Sequence, residues 1–587
     1  MLTAIEYLQA QGILSALDLH LAKFLHRLAP PHHDYILLSV AMTSHAVAQG
    51  HICLDLAVYA NQPFPQFSQD AVTPIACPDL DNWIKELRST SIVGHPGEFK
   101  PLILHNNYLY FYRYWQYEQQ LAQHIRQHLQ NAPVDFVRLD AGLQRLFATS
   151  DELQQLAARR AVEQNFCIIS GGPGTGKTST VVKILALLLE QNPKLRIAVA
   201  APTGKAAARL QEVISKYKQS LDCAPAIKQA IPQQSYTIHR LLGAYDNTHF
   251  KFNINNQLPY DVIVVDEASM IDLALMTKLA AAIAPTARWI LLGDKDQLAS
   301  VEAGTILGDL CAPADVDATL QQNIVLLKKS YRFQRDSGIG QLALAVKQGD
   351  SHQAIHIIHQ EKYADIIWHE LNSVETQQKN LLHQILQQLE PYFSSKEPEQ
   401  ILEIFGQFRV LCAVRQGFYG VERVNRLIEQ ELSVHKRITS GYRWYHRCPV
   451  MITRNDYSLK LFNGDIGIIL WNKNGELMTY FSDGQGGIRA FAPQRLPEHE
   501  TVYAMTIHKS QGSEFDKVLM LLPNQLSALL TRELIYTGLT RAKRQIDIWA
   551  NTEIFEQAIR RKIYRHSGLR ENLSQSAKIT ETQFLNH

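Results

Sequence analysis

The run Gly171-Gly172-Pro173-Gly174-Thr175-Gly176-Lys177-Thr178 constrains this chain more than any other feature. It sits between the apolar segment FCIIS at 166–170 and the apolar-periodic STVVKILALLLE that begins at Ser179. A strand, a glycine loop and a helix in that order commit the region to an α/β unit whose loop amides and helix N-terminus cradle phosphate. The stretch Gly171 to Ser179 is therefore the candidate ATP-holding loop. Lys177 would neutralise the β- and γ-phosphates, and the Thr178 hydroxyl would ligate Mg²⁺.

The flanking pattern extends that unit. Short apolar runs at Phe166–Ser170, Arg196–Ala200, Val262–Val265 and Arg288–Leu292 are each followed by a polar or glycine-containing turn and a helical pattern. Buried parallel strands with helical crossovers read this way. A second such region starts near 356, with apolar runs at Phe408–Val414 and Lys517–Leu522. Between them, about 430–500 is rich in glycine, aromatic and β-branched residues, with turns at Asn463–Gly464, Asn474–Gly475 and Asp483–Gly484. This predicts a small β insertion, barrel-like in character. Residues 1–110 carry no catalytic motif. Apolar residues at helical spacing from Ile5 to Leu28 predict a helix ended by Pro30 and Pro31, a second helix covers Asp34–Ala48, and Leu102–Trp115 reads as two strands around Asn106–Asn107. The expected division is 1–110, 111–355 and 356–587.

Further polar groups stand where strands end. Asp261-Val-Ile-Val-Val-Asp266-Glu267 offers Asp266 for the metal and Glu267 as general base towards water. Gln297, in Gly293-Asp294-Lys295-Asp296-Gln297, can reach a γ-phosphate. Arg332, in Ser330-Tyr331-Arg332-Phe333, and Arg541, in Thr537-Gly538-Leu539-Thr540-Arg541, each set a guanidinium beside an apolar anchor.

Composition narrows the classes. Hydrophobic residues make up 46% and charged residues 19% of 587, which excludes a mainly disordered chain. A net charge of +2 neither proves nor excludes nucleic acid, because a basic channel does not require a basic whole. The seven cysteines are scattered, which excludes a zinc ribbon and suits reduced thiols in the cytoplasm. No apolar run approaches the roughly 18 residues of a membrane span, so no membrane association is expected. No acidic cluster suits two-metal DNA cleavage.

In order along the chain, these blocks resemble the superfamily 1 DNA helicases. The carriers are Ala201–Leu210 (APTGKAAARL), DEAS at 266–269, GDKDQ at 293–297, SYRF at 330–333, TIHKSQGSEF at 506–515 and YTGLTR at 536–541. Finer likeness to the RecD family, the α subunits of exodeoxyribonuclease V (RecBCD), lies in TIHRLLG at 237–243, DEASMIDL at 266–273, GDKDQLASVEAG at 293–304, PVMITRND at 449–456 and LFNGDIG at 461–467. The resemblance implies an α/β fold with two RecA-like P-loop motor domains, a β-barrel-like insertion in the second and a mostly helical N-terminal domain that docks on a partner. It implies an ATP-dependent 5′→3′ translocase and helicase of superfamily 1B acting in double-strand break repair by recombination. Its DNA would be single-stranded or double-stranded with an end, and its partners RecB (β) and RecC (γ). The alternative is a stand-alone RecD-like helicase. By transfer, Gln154 reads adenine, Gln297 senses the γ-phosphate, Arg332 and Arg541 are arginine fingers, and Thr203, His239, Asn463, Thr506 and His508 line the DNA path. Tyr442, Trp444, Tyr445 and Phe462 are aromatic candidates for base stacking, though core positions are the more frequent use of such residues.

Overall fold

A computed structural model describes residues 1–29, 34–66, 73–245, 249–312, 318–333, 336–360, 362–371, 374–439, 441–456, 458–483 and 487–574. Pro30, Pro31 and Gly484, all singled out in the sequence, lie outside the described residues.

The first motor unit is a six-stranded, all-parallel sheet. Its strands run in the order Ile324–Leu327, Phe166–Gly171, Arg288–Gly293, Val262–Val265, Ile197–Ala201 and Tyr236–Thr237. The central strands are buried along their whole length, which is why they read as unbroken apolar runs rather than as alternation. Arg288 opens one of them, and its guanidinium is satisfied by the Val162 carbonyl at 3.2 Å. Helices cover both faces, among them Lys177–Gln191, Gly204–Ser220 and Leu273–Ala282.

The second unit repeats the plan with five parallel strands, ordered Ile366–Glu370, Ala542–Ala550, Phe515–Leu521, Phe408–Cys412 and Ala504–Thr506. Its insertion is a five-stranded antiparallel sheet spanning Cys448–Ile452 to His499–Thr501. The border between the units falls earlier than 355. Helices Gly338–Gln348 and Ser351–His359 bury Ile339, Leu342, Val346 and Ile357 in the second unit's core, so apolar packing places them there.

The N-terminal region differs from its pattern in two places. The first helical stretch is two helices, Leu2–Ala10 and Ala16–Leu28. Gly12 turns the chain at φ +74°, and Ser15 and Asp18 form a reciprocal capping box that starts the second helix. The hairpin Leu102–His105 and Tyr108–Phe111 stops short of Trp115, because Tyr112–His128 is a helix with Trp115, Leu121 and Ile125 buried against the first unit. That hairpin is the centre of a four-stranded sheet flanked by Leu54–Asp55 and Val93–Gly94. The C-terminal segment returns to this region: Glu118 accepts from the Gly568 amide at 3.0 Å and from Asn572 Nδ2 at 2.8 Å.

Candidate nucleotide site and strand path

The phosphate loop has the shape its glycines allow. Gly174 and Gly176 take φ +77° and +79°, which other residues adopt at a cost. A Cβ on Gly174 would come 2.3 Å from the Arg332 Cβ, and one on Gly172 would come 2.8 Å from the Tyr536 hydroxyl oxygen. These glycines therefore also let the loop meet Arg332, just beyond the first unit's edge strand, and Tyr536 of the second unit. Lys177 folds over the loop and donates to the Gly171 carbonyl, and to that of Gly172 at 3.2 Å. Gln154 is buried beside the loop, with Nε2 donating to the Thr175 carbonyl at 2.9 Å and Oε1 accepting from Tyr331 at 3.4 Å. Thr178 is half-buried at the first turn of the helix, and Ser179 Oγ donates to the Gly176 carbonyl at 2.9 Å.

Asp266 and Glu267 follow the neighbouring strand. Glu267 adopts φ +54°, and its amide donates to Asp266 Oδ1 at 2.8 Å. Burial and the adjacent Glu267 carboxylate push the Asp266 carboxyl up to about 6, against the pull of Lys177. The buried Ser269 Oγ close by in sequence has no hydrogen-bond partner. The Asp266 and Glu267 carboxylates and the Thr178 hydroxyl are hard oxygen donors, the chemistry that Mg²⁺ takes.

The second unit closes the site. Arg541 is buried and donates to Gln297 Oε1 at 2.8 Å, to the Ser513 carbonyl at 3.1 Å and to the Thr537 carbonyl at 3.2 Å. Tyr536 donates to Asp294 Oδ2 at 3.1 Å, and Gln297 Nε2 donates to the same oxygen at 3.0 Å. Arg332 pairs with Glu514, which Arg209 also binds at 2.6 Å. The two guanidinium groups outweigh burial and hold the Glu514 carboxyl at about 2. Lys177, Asp266, Glu267, Gln297, Arg332 and Arg541 thus converge from two sheets. Glu514, Arg209 and Asp294 complete the arrangement, and the sequence reading gave them no individual role. Arg332 and Glu514 lie 182 positions apart, so no local pattern could pair them.

The strand-path residues gather less completely. Thr203 stands at the end of Ile197–Ala201, where its hydroxyl accepts from the Ala206 amide at 3.2 Å. A Cβ on the adjacent Gly204 would come 2.5 Å from Phe462 Cβ, so this turn touches the insertion. Asn463 Oδ1 accepts from Lys509 at 3.4 Å, and the Lys509 amide donates to Thr506 Oγ1 at 3.2 Å. Thr203, Asn463 and Thr506 are therefore joined through neighbours across the cleft. His239 stands apart, its ring 5.9 Å from Phe250, and burial lowers its pKa. Burial and the nearby Arg565 lower that of His508. Of the aromatic candidates, Tyr445 is buried and donates to Glu429 at 2.7 Å, Trp444 Nε1 donates to His499 at 3.1 Å, and Tyr442 is exposed.

Three family profiles match stretches of the chain. Residues 10–110 match the family profile of the RecBCD enzyme subunit RecD, N-terminal domain. Residues 154–303 match an AAA domain and 501–546 a UvrD-like helicase C-terminal domain. The RecBCD enzyme subunit RecD of Mycolicibacterium smegmatis is 37% identical over 568 residues, covering 96% of this chain and 98% of that protein. Its namesake in Haemophilus influenzae is 32% identical over 646 residues, covering 97% and 99%. The ATP-dependent RecD2 DNA helicase of Deinococcus radiodurans is 32% identical over 397 residues, covering 67% of this chain and 47% of that protein.

Proposed function

The chain belongs to the RecD family of RecBCD enzyme subunits, and on that premise we propose how its cleft turns ATP hydrolysis into 5′→3′ movement along single-stranded DNA. It is an ATP-dependent DNA helicase. The first unit holds the nucleotide: Gln154 at the adenine, Gly171 to Ser179 around the phosphates, and Lys177 against their charge. Thr178 and Asp266 would hold Mg²⁺, which when bound neutralises phosphate charge. Glu267 takes the proton of the attacking water. Gln297 senses the γ-phosphate, and Arg332 and Arg541 stabilise its transition-state charge. The observation that carries this reading is the 2.8 Å bond between Gln297 and Arg541, which sets a strand end of the first unit against an arginine of the second.

Thr203, Asn463 and Thr506, with His239 and His508, grip the strand through phosphates, so the grip is tolerant of sequence and sensitive to salt. Opening and closing of the cleft alternates the grips of the two units. The partners are RecB and RecC, the substrate is DNA with an end, the place of action is the cytoplasm, and residues 1–110 dock on RecC. The match of residues 10–110 to the RecD N-terminal domain favours this subunit reading over a stand-alone helicase.

The test is purification with associated proteins, followed by ATPase assays with and without single-stranded DNA. Streptavidin is then displaced from biotin at either DNA end. Stimulated turnover and faster displacement from the 3′ end are expected, and faster displacement from the 5′ end overturns the direction.

A further inference from the structure

The helix Thr552–Arg560 belongs to the second unit, and after it the chain crosses to the first. Leu569 and Leu573, on the short helix Leu569–Ser574, share a core with Phe166, Leu291 and Ile306 of the first unit. The strap between these helices is held from both sides. On the second unit, the Arg532 amide donates to the Arg561 carbonyl at 2.8 Å, Arg561 Nη1 to the Ser527 carbonyl at 2.9 Å, and the Ile563 amide to Glu533 Oε2 at 3.0 Å. On the first unit, Arg565 Nη1 donates to the Glu302 and Gly304 carbonyls, each at 2.9 Å. The N-terminal region meets the same point. The Gly304 amide donates to the Gly50 carbonyl at 2.9 Å. The His566 amide donates to His51 Nδ1, and the His566 carbonyl accepts from the Ile52 amide, each at 3.0 Å.

Only Tyr564 separates the two anchorages, and its side chain is exposed. Cα atoms two positions apart reach at most about 7 Å. Opening of the cleft therefore has to turn about this edge, or it has to strip one set of bonds. The anchorage on the first unit is the loop that follows Gln297. Ser300 Oγ donates to the same two carbonyls that accept from Arg565, Glu302 at 3.0 Å and Gly304 at 3.2 Å, so 300–304 folds around one point. Nearer Gln297, the Leu298 amide donates to Thr537 Oγ1 at 3.0 Å, and the Leu298 carbonyl accepts from Gln511 at 2.9 Å. The second unit thus grips the loop at Leu298, and the strap grips it at 302–304. We propose that Arg565 is a positioning residue for ATP hydrolysis, which pins the edge of the cleft at Tyr564 and holds the loop that sets Gln297 against Arg541. This rests on the reading of the cleft as a DNA-stimulated ATPase, but on residues outside the nucleotide site.

Three variants of the full chain test it. Arg565→Gln removes the charged donor, and Arg565→Lys restores a cation that donates to carbonyls. A Gly-Ser-Gly-Ser insertion after Tyr564 keeps every anchoring residue and adds slack alone, at little cost to the fold. ATPase is followed against ATP concentration at saturating oligo-dT, and the urea midpoint of each variant is read in parallel. Arg565→Gln and the insertion should each lower kcat about tenfold with KM changed by less than about twofold, since a positioned group displaced by about 1 Å loses up to about 10² in rate. Arg565→Lys should recover most of the loss. A strap that only holds the fold together would lower the urea midpoint and leave kcat of the folded enzyme unchanged, and that result overturns the proposal. So does an insertion variant with the parent's kcat, which also decides the matter if Arg565→Gln does not fold. A parent chain without DNA-stimulated ATPase removes the motor reading and the proposal with it; a stimulated parent with unaffected variants removes the proposal alone.

Discussion

The two motor units turn similar surfaces towards each other with unlike contents. Both are parallel sheets, and both place a threonine at the end of a strand to cap the following turn. Thr203 accepts from the Ala206 amide and Thr506 from the Lys509 amide, each at 3.2 Å. Beyond that the units diverge. The first carries the phosphate loop and the Asp266–Glu267 pair. In the second, the strand Phe408–Cys412 leads into Ala413-Val414-Arg415-Gln416-Gly417, which lacks the Lys-Thr pair of a phosphate loop. It contributes Arg541, Tyr536 and Glu514 instead. On the proposed reading, one unit holds the nucleotide and the other supplies the arginine charge that completes the site. A site divided in this way makes hydrolysis a reporter of closure.

The largest effects should come from removing one charge on each side. Lys177→Gln should lower turnover about a thousandfold by removing the cation that cradles the phosphates. Arg541→Ala should match it at the low end of the arginine-finger range, about 10³, while nucleotide affinity holds. ATPase on long single-stranded DNA, with a parallel nucleotide titration, measures both. If Arg541→Ala loses affinity and keeps turnover, Arg541 is a ground-state contact and the division between holding and reacting collapses.

Next comes the joint itself. Glu514 is the acceptor shared by Arg209 and Arg332, with a side chain 13% exposed. Glu514→Ala strands two arginines and should cost about 3 kcal/mol of stability in urea. Its carboxyl is held at about 2, below the ordinary value of about 4.3 for Glu. The stabilisation is therefore complete above about pH 4.3 and fades as pH falls towards 2. The parent should lose stability across that window more steeply than the variant; parallel slopes would falsify the clamp.

The metal side should show a smaller dependence on pH. Burial and Glu267 raise the Asp266 carboxyl to about 6, so below that pH it is increasingly protonated and a poorer metal ligand. At limiting Mg²⁺, turnover should fall about tenfold per unit below about pH 6, and excess Mg²⁺ should move the limb to lower pH. A flat profile down to about pH 5 at limiting Mg²⁺ would remove Asp266 from the metal site.

The same contrast governs what the sequence discloses. Where chemistry and its cause are local, the reading is direct. Gly171 to Thr178 names its own ligand, and the unbroken run Val262–Val265 is a buried strand because both its faces are covered. Where a contact closes a long loop, pattern says little: Glu514 finds Arg332 and Arg209 only through the fold. The break between the first two helices escaped because apolar spacing continues through Gly12, although Ser15 and Asp18 carry a capping signal. Tyr112–Trp115 reads as strand because aromatic residues favour sheets, yet tertiary packing makes it helix. The border near 355 shifted because Gly338–His359 buries its apolar face in the second core, and that face has the same period whichever core receives it.

The smallest effect tests the feature the units share. Each threonine hydroxyl already serves as a cap, so losing it should cost about 1 kcal/mol of stability whether or not DNA is held there. Thr203→Ala and Thr506→Ala therefore cannot separate the roles by stability alone. Thr203→Asp and Thr506→Asp can, because aspartate caps as well as threonine but sets a negative charge against a phosphate. If the hydroxyls grip the strand, the aspartate variants should keep parent stability and bind single-stranded DNA roughly five- to tenfold more weakly, the loss growing at low salt where screening is least. The two units should give losses of similar size, since each offers one hydroxyl at one strand end. Unchanged affinity in both would reduce the threonines to caps. A loss at Thr506 alone would place the grip in the unit that lacks the nucleotide, and hydrolysis would then move the strand by shifting one hand rather than alternating two.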